Sequence, residues 1–169
     1  LGFNSRGTLY AGGGFGDLDG IGAADWVAAY SDGAWSALGT GPGGAALTSW
    51  LRGLTVDGTN VFWGTPNFGL YKATLAAAKC TEGGIGDCTS GAGGGQSNVF
   101  GVAVDNLNVY WTETGGGTAS AGQVKRAAKG GGQAALVATE QDNPRSIAVL
   151  DGFVYWANEG ANAPTGGSI

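Results

Sequence analysis

Thiols and carboxylates are the side chains here with a spacing that invites chemistry. Cys80 and Cys88 are the only cysteines, and they flank a glycine-rich loop. The chain has no histidine, so two thiols leave a tetrahedral metal site short of ligands. Their spacing is not that of a CxxC redox pair. The favoured chemistry is a loop disulfide made in an oxidising compartment. A loop that short would contribute roughly 2–3 kcal/mol. Asp17-Leu18-Asp19-Gly20 has the start of a calcium loop. Such a loop needs a glutamate at its twelfth position, where Ala28 stands, so a plain turn is favoured. Calcium remains the one ion to consider, and no other cofactor is implied.

Glu113 and Glu159 each closely follow a Val-Tyr-Trp strand. Together they would share a site if matching positions of adjacent repeats converge near an axis; alone they are solvated turn carboxylates. The absence of histidine also removes the commonest general base, and no catalytic set is visible. A net charge of −5 with only Lys125, Arg126 and Lys129 clustered argues against nucleic acid, which needs several cations on one face. No apolar run approaches the roughly 18 residues needed to span a bilayer.

These residues sit in a repeat. Gly53-Leu54-Thr55-Val56-Asp57-Gly58-Thr59-Asn60-Val61-Phe62-Trp63 aligns without gaps with Gly101 to Trp111 and with Ser146 to Trp156. A weaker copy has Leu9-Tyr10-Ala11 where the others read Val61-Phe62-Trp63, Val109-Tyr110-Trp111 and Val154-Tyr155-Trp156. The tryptophans recur at intervals of 48 and 45 residues, a period that suits a four-stranded propeller blade. Each copy reads as two strands and a turn. Period-two alternation marks the first strand, Asp-Gly-Thr-Asn is turn chemistry, and β-branched and aromatic residues make the second. Apolar residues at consecutive positions imply burial on both faces. The repeated aromatics are therefore expected in the core, with a sugar-stacking platform as the functional alternative. Trp26 and Trp50 lie outside the repeated position and are better placed for exposed stacking.

Outer strands are expected at Gln123–Ala127, at Ala135–Ala138 and at Leu70–Thr74. Ser31-Asp32-Gly33 is expected to turn a hairpin between Trp26–Tyr30 and Ala34–Leu38. The fold expectation is all-β: one β-propeller over residues 1–169, with antiparallel four-stranded blades at 1–49, 50–97, 98–143 and an incomplete 144–169. The chain opens inside a motif and stops where a third strand should begin. A longer protein with further blades is expected, or self-association that completes the ring.

Val-Tyr-Trp followed by Thr112-Glu113 or Ala157-Asn158-Glu159, after a Val-Asp turn, resembles the repeats of secreted six- or seven-bladed bacterial propellers. These are of the myxobacterial type and related to tyrosine-tryptophan-threonine-aspartate and NHL repeats. Leu9-Tyr10-Ala11-Gly12-Gly13-Gly14-Phe15 and Trp35-Ser36-Ala37-Leu38-Gly39 resemble another bacterial propeller repeat. The resemblance implies a secreted or cell-surface protein, and the cysteine-flanked loop occurs in such outer strands. Loops at one propeller face usually carry function, so the expected binding residues are Thr65, Thr112, Glu113, Asn158 and Glu159, with Trp26 and Trp50. The expected role is non-catalytic recognition or scaffolding, with a carbohydrate or a surface protein as ligand. Two alternatives stand beside it. One is a metal-dependent lactonase or lyase whose site lies partly in missing blades. The other is a structural subunit of an extracellular assembly.

Overall fold

The computed structural model describes residues 1–3, 7–14, 18–20, 27–37, 51–66, 69–74, 98–131 and 133–160. They form four antiparallel sheets. The first runs β1 (Gly2–Phe3), β2 (Leu9–Gly12), β3 (Val27–Ser31) and β4 (Ala34–Ala37). The second holds β5 (Gly53–Val56), β6 (Asn60–Thr65) and β7 (Gly69–Thr74). The third has β8 (Val99–Val104), β9 (Asn108–Glu113), β10 (Gly122–Ala128) and β11 (Ala135–Gln141). The fourth has β12 (Pro144–Leu150) and β13 (Phe153–Asn158). Within every sheet, strands neighbour in sequence order. No helix among the described residues is long and apolar enough to cross a membrane.

Turn chemistry closes the hairpins. Asp32-Gly33 and Asp151-Gly152 both hold positive φ, at 53° and 82° and at 51° and 80°, as a two-residue type I′ turn demands. Asp57 and Asp105 close the β5–β6 and β8–β9 turns by a different device. The Asp57 carboxylate accepts the N–H groups of Thr59 and Asn60, each at 2.7 Å. That of Asp105 accepts those of Leu107 and Asn108 at 2.7 and 2.6 Å. Asp57 also reaches into the next sheet, where Lys129 Nζ lies 2.9 Å away. Burial works against the Asp57 charge, but Lys129 and the two backbone donors prevail and hold its carboxyl down at about 2.

The sheets stack face to face. Val61, Trp63 and Tyr71 of the second sheet pack on Tyr10, Val27 and Ala29 of the first. Phe62 and Leu70, on its opposite face, pack on Val102, Val109, Trp111 and Ala127 of the third. Val61, Phe62 and Trp63 are all fully buried, because this strand is covered from both sides. The repeat register is kept throughout. Trp63 pairs across its hairpin with Leu54, Trp111 with Val102, and Trp156 with Ile147.

The first strands of successive sheets meet along one edge, β5 against β8 and β8 against β12. A Cβ at Gly53 would lie 2.5 Å from the Phe100 carbonyl oxygen, and one at Gly101 2.3 Å from that of Arg145. The strands approach backbone to backbone, and only glycine leaves room. This arrangement of antiparallel blades around a common inner edge is a partial β-propeller.

The fourth sheet differs in one respect. Leu150, Phe153 and Tyr155 are 64%, 66% and 53% exposed, although Phe62 and Tyr110, the repeat counterparts of Tyr155, are buried. The cause is that the described residues supply no sheet against that face. Ser146 also stands on it, at the step held by Gly53 and Gly101.

Gly101→Ala should lower stability by about 1–3 kcal/mol through overpacking. Gly58→Ala has no atom within 4 Å of the added methyl and should stay within about 0.5 kcal/mol. Urea unfolding of the two variants measures the contrast.

Candidate functional site

The register of the repeat sorts the residues at the strand ends. Thr65, Glu113 and Asn158 occupy one step, and Pro66, Thr114 and Glu159 the next. Glu113 and Glu159 are therefore not equivalent, and the structure gives them different surroundings. Glu113 accepts the indole N–H of Trp111 at 2.8 Å and pairs with Lys125 at 2.7 Å, within its own sheet. Glu159 pairs with Arg145 and accepts from the Asn143 amide. Asn158 donates to the Gln141 side chain at 3.0 Å, where Trp156 Nε1 also donates. Among the described residues no three Cys, Asp or Glu side chains gather as a metal site would require.

The two threonines face inward. Thr65 is 1% exposed, and its hydroxyl donates to the Gly69 carbonyl. Thr112 is fully buried at the joint between the third and fourth sheets. Its hydroxyl accepts the Gly101 N–H and donates to the Arg145 carbonyl, both at 2.8 Å. One side chain thus ties β8 and β9 to β12. Trp63 lies in the core, its ring stacked on Tyr71 at 5.6 Å with 11° between planes. Its indole N–H has no partner among the described residues. Trp26, Trp50, Cys80, Cys88 and Asp17 lie outside the described residues, while Asp19 stands exposed in a short 3-10 turn.

A cavity of about 250 Å³ opens where the inner strands begin. The residue before each repeat start is Arg52, Phe100 or Arg145, on β5, β8 and β12 or at their ends. All three line the cavity. Both guanidiniums lie over the Phe100 ring, with Arg52 at 5.1 Å and Arg145 at 4.1 Å from its centroid. Such cation–π contacts hold the two charges beside an apolar wall. Asn98 and Asn143, again equivalent to each other, line the cavity together with Pro66 and Thr114. Among the described residues the lining includes two arginines and no carboxylate, in a chain of net charge −5.

Arg52, Phe100 and Arg145, equivalent positions of three successive sheets, thus meet at one cavity, whereas Glu113 and Glu159 have separate partners. Thr65, Glu113 and Asn158 are engaged within their own sheets or the joints, while the residues just before the repeat start meet at the rim, with Pro66 and Thr114 beside them. Extending the repeat alignment upstream would have found them, because Asn98-Val99-Phe100 and Asn143-Pro144-Arg145 match Trp50-Leu51-Arg52 step for step.

No family model matches the chain, and no curated protein sequence does. Among solved structures, the chain is similar to one from a crystal structure of a nidogen/laminin complex, with a TM-score of 0.57 and 17% identity. The match covers 89% of this chain and 52% of the other, so this chain spans about half the length of its structural neighbour. At that identity the likeness is one of fold, and it agrees with a β-propeller repeat protein.

Thr112→Val keeps the shape of the side chain but strands the Gly101 N–H and the Arg145 carbonyl. It should cost about 2–3 kcal/mol, read as a lowered midpoint of chemical denaturation.

Proposed function

We propose that the chain is a recognition module, without catalytic chemistry of its own, that binds another protein through the rim cavity. The observation that carries this reading is the set of equivalent rim positions from three successive sheets lining one cavity. The cavity, at about 250 Å³, falls below the roughly 300–1,000 Å³ of small-molecule sites. It suits one side chain of a larger partner, whose remaining contacts would spread over the rim loops. A protein ligand is favoured over a carbohydrate. Sugar binding in the cavity would want an open aromatic face there, yet the Phe100 ring is already taken by two guanidiniums. The similar structure is that of a complex between two proteins, nidogen and laminin, which is compatible with this reading at a coarse level. An extracellular or cell-surface setting is part of the proposal. It draws on a charged fraction of only 12% and on the cysteine pair.

Panning a displayed random-peptide library against the intact chain tests this reading. Selected peptides should lose most of their binding to Phe100→Ala. They should keep it against Gln133→Ala, an exposed change at the opposite end of the sheets. Peptides indifferent to Phe100→Ala, or strong glycan-array binding that requires Phe100, would overturn it.

A further inference from the structure

We infer that the rim cavity is a carboxylate site, taking the side chain of a glutamate or aspartate presented by a protein partner. This rests on the recognition reading above and adds the chemistry of the anchor.

Charge comes first. Among the described residues, two guanidiniums line the cavity and no carboxylate does. Glu159 engages Arg145 from outside the lining, with Nε 2.7 Å from its Oε2 and one Nη also in contact. A guanidinium has five N–H donors, so Arg145 keeps others for a second acceptor. Glu159 also fixes the direction of the Arg145 fork, and cation–π contact with Phe100 fixes its plane. Arg52 is set over the same ring from the preceding sheet. The planar fork of arginine matches a carboxylate in two-point contact.

The rest of the lining suits the same guest. Pro66, Val99 and Phe100 supply apolar wall for the methylene stem of an acidic side chain. Asn98, Asn143 and Thr114 supply polar edge. A neutral amide of the same size would make the apolar contacts but offers one carbonyl acceptor in place of a charged two-oxygen one, so it gains less from the guanidiniums. Surface ion pairs alone contribute little. Here the arginines are held in place before the guest arrives, which lowers the ordering cost of binding.

The experiment uses N-acetyl-glutamate N-methylamide and its glutamine counterpart as probes. Binding to the whole chain is followed by the arginine Nε–H resonances. The glutamate probe should shift resonances of Arg52 and Arg145 with a Kd in the millimolar range. The glutamine probe should bind at least about tenfold more weakly. Added sodium chloride should weaken the glutamate probe and leave the glutamine probe unchanged, as screening requires. Arg52→Gln, an exposed position, should cut the glutamate affinity at least tenfold while the thermal midpoint holds. Arg145→Gln should lower the glutamate affinity likewise and serves as the second variant.

Equal affinity for the two probes, or no response from either, would overturn the inference. If panning yields Phe100-dependent peptides with no shared acidic residue, the carboxylate site fails while the recognition role stands. Peptides that ignore the rim altogether would sink the role itself.

Discussion

Backbone contact between the first strands of neighbouring sheets is the constraint on which the rest of this structure depends. At Gly53 and Gly101 the next strand's carbonyl oxygen lies 2.5 and 2.3 Å from where a Cβ would be, too close for one to fit. That approach sets how far apart the sheets lie. Their spacing then decides which side chains bridge the joints: Phe62 and Leu70 at one, Thr112 at another. It also brings Arg52, Phe100 and Arg145 to the same rim within cation–π range of each other. A wider joint would separate those three groups and dissolve the cavity. Fold and site are therefore consequences of one packing distance.

Polar contacts at the two ends of the sheets reinforce the joints without setting them. At the turn end, Asp57 accepts from its own backbone and from Lys129 of the next sheet, and Lys72 donates to the Lys129 carbonyl at 3.0 Å. At the rim end, Thr112 joins Gly101 to Arg145. Each uses a group whose desolvation would be costly if it were left alone. Thr112 thus adds a hydrogen-bonded tie at the third joint, while apolar clusters fill the first two.

Much of the fold was legible in the amino-acid sequence because the signals were periodic. Val61-Phe62-Trp63 and its copies announce strands buried on two faces. Asp32-Gly33 announces a hairpin, and β10, β11 and β7 lie where Gln123, Ala135 and Leu70 indicated. The site was less legible. Glu113 and Glu159 look alike in the sequence because each follows a tryptophan closely, but one step of strand register turns them to different neighbours. Phe100 and the two arginines differ in type, so no shared motif marks them; only their common step does. Tyr155 matches Tyr110 in the sequence yet is exposed, because burial there depends on a neighbouring sheet and not on the strand itself.

Nuclear Overhauser contacts across the inner edge test the central claim most directly. The close approach predicts strong contacts from the Gly53 Hα protons to the Val102 amide, and from the Gly101 Hα protons to the Ile147 amide, where a glycine Cβ would come within 2.9 and 3.1 Å of the amide nitrogens. Absence of both, with the strands themselves intact, would contradict the account.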